Sequence, residues 1–146
     1  MTSCLVDTNI LLRLAETNSP MNAIARRSVV TFKQQGLELH IAPQNIIEFW
    51  VVATRPISSN GLGLTVEDAI RETQRLKVLF TLLDDRLELF STWENLVQKY
   101  QVLGKQAHDA RLVAAMAIHE ISHILTFNIQ DFQRFVEIIV IDPNAV

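Results

Sequence analysis

A single cysteine among 146 residues rules out any internal disulfide. Cys4 lies in an apolar run, so it reads as a buried free thiol in a reducing compartment, not as a nucleophile. Basic residues do not outnumber acidic ones: 13 stand against 16, for a formal charge of −3. That excludes a protein gripping nucleic acid through a broad basic surface. It does not exclude an enzyme whose acids are neutralised by metal. No apolar stretch reaches the roughly 18–20 residues a membrane span needs. The N-terminal segment lacks the basic region and long apolar core of a secretory signal, so a cytoplasmic location without membrane contact is expected. Internal repeats and low-complexity tracts are missing too. Apolar residues at 49% and charged ones at 20% fit an ordinary globular chain, and the length fits one domain over residues 1–146.

With only four glycines and four prolines, each can be read as punctuation. Residues 3–7 suit a strand, and a short helix is expected over about 8–16. Asn18-Ser19-Pro20 offers an N-cap with proline at the first helical position, and that helix runs to Gln35 and stops at Gly36. Leu37–Ile41 reads as the second strand. Pro43 opens a helix to about Thr54, which Arg55-Pro56 closes. The loop 55–64 is the longest. Thr65-Val66-Glu67-Asp68 resembles a capping box ahead of the next helix. A brief strand near 80–83, a helix over 86–101 and an alanine-rich helix over 106–120 follow. Strands are then expected at 123–126 and 136–141, with a short helix from Asp131 through Phe135 between them. Strands alternating with helices imply a parallel, layered α/β domain.

In such a sheet the carboxyl ends of the strands form the ligand edge. Asp7 ends the first strand there, although an aspartate in this place also serves as a helix cap. Glu48 lies in the apolar segment Ile46–Val52, where an unpartnered carboxylate is costly. Gln44, Asn45 and Arg55 share its helical face, so a narrow wet stripe is the competing account of it. Asp109 falls in the first turn of the alanine-rich helix, where the helix dipole alone would explain an acid. Asn128 and Asp131 follow the fourth strand and could merely serve a turn and a cap. Taken together, these side chains come from separate elements that can converge on one edge. Two carboxylates ~4 Å apart repel by about 4 kcal/mol at an effective dielectric of ~20. A divalent cation relieves that repulsion, and oxygen-only donors point to Mg²⁺ or Mn²⁺ over zinc. Such a centre suits phosphodiester hydrolysis.

Four short motifs in order, spanning nearly the whole chain, resemble the PIN-domain family and within it the VapC-type toxins of type II toxin–antitoxin systems. They are Val6-Asp7-Thr8-Asn9; Glu48 in the helix after strand two; His108-Asp109-Ala110 opening a later helix; and Ile124-Leu125-Thr126-Phe127-Asn128 with Asp131-Phe132. The resemblance implies a three-layer domain with a parallel five-stranded sheet in the order 3-2-1-4-5. It implies a Mg²⁺- or Mn²⁺-dependent endoribonuclease that cuts tRNA or ribosomal RNA, is silenced by a small co-expressed antitoxin, and forms a homodimer. The family's invariant acids fall on Asp7, Glu48 and Asp109 as metal ligands. Its fourth acidic position is Asn128 here, with Asp131 the nearest spare carboxylate. Asn9 and Thr126 are implied to orient the acids.

Arg55 and His108 are candidates for RNA contact, though Arg55 could equally neutralise a helix C-terminus. Arg111 reads as a surface ion-pair partner, and Trp50 and Trp93 as packing residues on apolar stripes. The alternative function is a binding module on the same fold with a weakened metal site, which Asn128 favours. A phospho-acceptor receiver domain would need an acidic neighbour for Asp7 and a lysine after the last strand. The chain has neither.

Overall fold

The computed structural model describes all 146 residues. Its chain order is β1 (Ser3–Val6), α1 (Thr8–Ala15), α2 (Pro20–Gln34), β2 (Glu38–Ile41), α3 (Pro43–Thr54), α4 (Val66–Leu79), β3 (Thr81–Leu82), α5 (Leu89–Lys99), α6 (Gln106–Ile118), β4 (His123–Leu125), α7 (Ile129–Phe132) and β5 (Ile139–Ile141). The five strands form one sheet in the order β3-β2-β1-β4-β5. Every neighbouring pair is parallel. No helix is long and apolar enough to cross a membrane.

Strand alternation divides the core in two. Leu5 and Ile124 face a cluster built with Leu96, Leu112, Met116 and Phe132, which places α5 and α6 on that side. Cys4, Val6 and Leu125 face the other way, against Ile10, Phe32, Phe49 and Leu76 from α1 to α4. This period of two is what a strand buried on both faces requires. The alanines of α6 serve the same end: Ala110 and Ala114 are wholly buried, so this helix lies close on the sheet.

Local signals act as the sequence suggests. Ser19 accepts from the Met21 N–H at the start of α2, and Thr65 accepts from the Asp68 N–H at the start of α4. Loop 55–64 holds a short 3₁₀ turn at Ile57–Ser59 and then folds back on α3. There Leu62, Gly63 and Leu64 donate backbone N–H groups to the carbonyls of Val52, Arg55 and Ala53. These bonds satisfy the last carbonyls of α3 that the helix itself cannot. Gly61 allows that return, because a Cβ there would stand 2.0 Å from the Arg55 carbonyl oxygen.

Several boundaries differ from the expected ones. β4 stops at Leu125, since Thr126 turns its hydroxyl to Asp7. The last strand begins at Ile139, not 136, because Ile138 N–H bonds the Phe135 carbonyl and makes residues 135–138 a turn. Helix α7 ends at Phe132, short of Phe135. Helix α5 starts at Leu89, three residues later than the expected 86.

Candidate metal centre and its hydrogen-bond frame

The carboxyl ends of β1 and β4 lie side by side, tied by the bond from Asp7 N–H to the Leu125 carbonyl at 3.0 Å. The side chains leaving β1 and β4 therefore meet. Asp7 is only 6% exposed. Its Oδ1 accepts from the Thr8 N–H at 2.8 Å, and its Oδ2 accepts from Thr126 Oγ1 at 2.8 Å and Asn9 Nδ2 at 3.3 Å. It caps α1 and also belongs to the acid cluster, so the two readings of this residue coexist.

Thr126 is wholly buried and fully used. Its one proton goes to Asp7, while its oxygen accepts from Asn9 Nδ2 at 3.1 Å and the Asn128 N–H at 3.0 Å. Asn9 in turn accepts the Phe127 N–H at 3.2 Å. A hydroxyl offers one donor and two acceptor sites, so this threonine has no freedom to rotate. Asn9 and Thr126 stand where the resemblance puts orienting groups.

Glu48 is held by a second set of bonds. Thr8 Oγ1 donates to its Oε1 at 2.9 Å and Gln44 Nε2 to its Oε2 at 3.3 Å. Thr8 accepts from Asn45 Nδ2 at 3.1 Å, and Asn45 Oδ1 takes the Ala42 N–H at 2.8 Å at the head of α3. Gln44 also donates to the His108 carbonyl at 2.7 Å and accepts from Arg111 at 3.1 Å, and Arg111 pairs with Asp85 at 3.4 Å. The stripe Gln44, Asn45 and Glu48 is thus not a wet surface. Gln44 and Asn45 are buried, at 6% and 0% exposure, and they join α3 to the start of α6. The sequence reading gave no role to Thr8, Gln44 or Asn45. Their signal was present in the spacing of the last two with Glu48 and in Thr8 sitting between Asp7 and Asn9.

Burial raises Asp7 to about 6, helped by the charges of Glu48 and Asp131 and opposed by the bonds from Thr126 and Thr8. Asp109 rises to about 7, again by burial first, then by the charges of Asp7, Asp131 and Glu48, with Arg134 opposing. Four acids from four elements therefore share one electrostatic environment. Of the two candidates after β4, Asp131 is the one whose charge reaches Asp7 and Asp109, whereas Asn128 is exposed and its side chain makes no hydrogen bond. Arg134, which donates to Gln106, is a nearby cation that sequence spacing did not single out.

The donor chemistry fits a hard divalent ion, with carboxylate oxygens only and mutual repulsion to relieve. The side chains are not drawn up at ligand spacing, however: no three acids or histidines stand as a ready-made metal set. Glu48 is turned onto Thr8 and Gln44. Arg55 lies two turns farther along α3, at its C-cap, with no side-chain bond into this network. The His108 side chain is exposed beside it. Cys4 is wholly buried, and burial pushes its thiol up to about 12, so it is no nucleophile.

Comparison with known proteins agrees with this arrangement. The family model described as PIN domain matches residues 4–138. VapBC2 from Rickettsia felis, solved bound to a DNA fragment from its promoter, superposes with a TM-score of 0.72 at 13% identity, covering 96% of this chain and 98% of that one. VapBC-1 from nontypeable Haemophilus influenzae gives 0.68 at 17% identity over 97% and 98% of the two chains. VapC20 from Mycobacterium tuberculosis, a toxin that cleaves the sarcin-ricin loop, gives 0.61 at 18% identity over 83% and 86%. In sequence alone, no curated protein is a significant match.

Proposed function

The chain belongs to the PIN-domain family, and from that premise we propose that it is a divalent-metal-dependent endoribonuclease of the VapC toxin type. The observation that carries this reading is buried Asp7 sharing one electrostatic environment with half-buried Glu48, Asp109 and Asp131, which together with burial holds Asp7 and Asp109 well above the usual carboxylate range. Acids kept together at such a cost are placed for a cation.

Asp7, Glu48 and Asp109 would hold Mg²⁺ or Mn²⁺, with Asp131 in reserve for the position that Asn128 leaves without a charge. Once bound, the ion activates water and stabilises negative charge on the scissile phosphate. The chain's own residues supply the frame. Thr126 and Asn9 fix the rotamer of Asp7, Thr8 and Gln44 fix Glu48, and the start of α6 presents Asp109. Arg134 lies where it can offset negative charge on a phosphate next to Asp109. The RNA class in this reading is tRNA or ribosomal RNA, a choice supported by the sarcin-ricin loop that VapC20 cleaves. A small antitoxin partner is supported by the VapBC neighbours. A homodimer, which sedimentation would detect, completes the reading.

The test is cleavage of total cellular RNA with Mg²⁺ or Mn²⁺. Wild type is expected to cut at few sites, EDTA to stop it, and Asp109→Asn to remove it. Undiminished cutting by the variant overturns the site.

A second reading has a specific observation behind it. Asn128 replaces an acid, and the remaining acids are not drawn up at ligand spacing, which favours a binding module acting through protein contacts. Calorimetry with Mn²⁺ separates the two, since only the module would show neither affinity nor turnover.

A further inference from the structure

Glu48 is bonded between the immediate neighbours of two other acids. Thr8, next to Asp7, donates to its Oε1 at 2.9 Å, and Gln44 donates to its Oε2 at 3.3 Å. The same Gln44 amide donates to the carbonyl of His108, next to Asp109, at 2.7 Å. One buried side chain therefore ties a carboxylate on α3 to the backbone that carries another on α6. Its bonds with His108 and Arg111 are the only hydrogen bonds between these two helices. The amide fits only one way round. The Glu48 carboxylate and the His108 carbonyl accept, so both need its NH₂ group. A guanidinium only donates, so Arg111 needs the oxygen, which it reaches at 3.1 Å. Turned over, the amide would lose all three bonds. Arg111 is held in turn by Asp85 at 3.4 Å. Neither Arg111 nor Asp85 makes a hydrogen bond or ion pair with Asp7, Glu48, Asp109 or Asp131.

We propose that Arg111 and Gln44 form a positioning relay: Arg111 fixes the Gln44 amide, and Gln44 holds Glu48 and the start of α6 in one relation, so that Glu48 and Asp109 can share a divalent cation. The inference rests on the metal-dependent nuclease reading and deepens it, by naming residues outside the acid cluster on which metal affinity depends. Two accounts of Arg111 then predict opposite signs. Acting by its charge alone, a cation near the acids repels a metal ion, and its removal tightens binding. Acting through Gln44, its removal frees the amide and weakens binding, as loss of an orienting partner does. The electrostatics favour the second account. Arg134 is the cation that acts on Asp109, and Arg111 is not among the charges that shift Asp7 or Asp109.

The test is Mn²⁺ calorimetry on the full chain, with circular dichroism and melting in EDTA alongside. Gln44→Met keeps the length of the side chain without its bonds, and should weaken Mn²⁺ binding about 10–100-fold. Arg111→Met should weaken it by about threefold or more, within the range for coupled neighbours. Arg111→Lys keeps a donor for the Gln44 oxygen and should restore most of that loss. In the Gln44→Met background, Arg111→Met should add nothing, because its effect passes through the amide. The Arg111 side chain is 37% exposed, so its variants test the relay even where Gln44→Met does not fold. Tighter Mn²⁺ binding by Arg111→Met, or wild-type affinity in either single variant, overturns the relay and leaves the nuclease standing. An Arg111→Met effect that persists undiminished without Gln44 also overturns it, as does a lower melting temperature with no change in affinity. A wild type without Mn²⁺ affinity overturns both readings together.

Discussion

In EDTA at pH 8 the Asp7→Asn variant is expected to melt above the wild type. Burial, with the charges of Glu48 and Asp131, lifts Asp7 from its ordinary 3.8 to about 6. The shift of roughly 2 units corresponds to about 3 kcal/mol of destabilisation once the group is ionised. The sign follows from proton uptake. The folded state holds this proton more tightly than the unfolded chain does. Stability is therefore undiminished below the unfolded value near about pH 4, falls as pH rises to about 6, and stays low above that. Asparagine removes the charge but not all of the bonds. Its oxygen can keep the Thr8 N–H, while its amide must face Asn9 Nδ2, another donor, which costs about 1–2 kcal/mol. The net gain is about 1–2 kcal/mol, or roughly 3–6 °C in melting temperature for a chain of this size. Differential scanning calorimetry across pH reads this directly. The advantage should shrink as pH falls and reverse near about pH 5, and by about pH 4 only the lost bonds remain. Adding Mn²⁺ should raise the wild type and leave the variant nearly unmoved, since only a state that binds the ion gains from it. A variant that melts below wild type by the same margin at pH 8 and pH 5 refutes the reasoning. Asp7 would then be a cap and nothing more.

The other predictions follow the same frame. Thr126→Val removes a hydroxyl whose three bonding sites are all occupied, and should weaken Mn²⁺ binding about 10–100-fold by calorimetry without unfolding the chain. Asp131→Asn should weaken Mn²⁺ binding more than Asn128→Ala does, and the reverse order would return the fourth position to Asn128. Glu48→Gln should lower RNA cleavage by about two orders of magnitude or more, with melting in EDTA changed far less. Gly61→Ala forces a Cβ onto the Arg55 carbonyl and should cost about 2–3 kcal/mol by urea unfolding, while RNA cleavage at low temperature persists.

The sequence disclosed the sheet more fully than the site. The apolar run Cys4–Val6 and the punctuation at Pro20, Gly36 and Pro43 are local signals, and the elements they mark are present. The 3-2-1-4-5 order came from resemblance, because local patterns carry no information about which strands pair. Asp7, Glu48 and Asp109 stood out as candidates for a different reason: Glu48 lies in an apolar segment, and the three acids come from separate elements that can converge on one sheet edge. The frame around them was harder to see. Thr8, Gln44 and Asn45 are ordinary polar residues whose importance depends on what lies opposite them across 37 to 67 residues of chain. Helical spacing put Gln44 and Asn45 on the Glu48 face but did not show that α6 would close over it. Val136–Ile138 misled in the opposite direction, since an apolar run suggests a strand until a turn at Phe135 claims its first residues.

The departure at Asn128 bears on more than one ligand. An acid at that position would lie on the exposed rim, where its charge is screened by water. Asp131, one turn later, is half-buried and already raises both Asp7 and Asp109. Moving the fourth charge inward makes the metal-free cluster less comfortable and its relief by a cation larger. Arg134, on the turn after α7, partly offsets this at Asp109. Acid and base here come from the same short segment, three residues apart, so their opposing effects on Asp109 are set together. If that segment shifts when RNA or an antitoxin arrives, Asp131 and Arg134 move as a unit. Metal affinity should then depend on what occupies the rim beside α7. A Mn²⁺ titration of the wild type with and without bound RNA, repeated on Arg134→Ala, would show that coupling as a difference of differences, and equal affinities throughout would remove it.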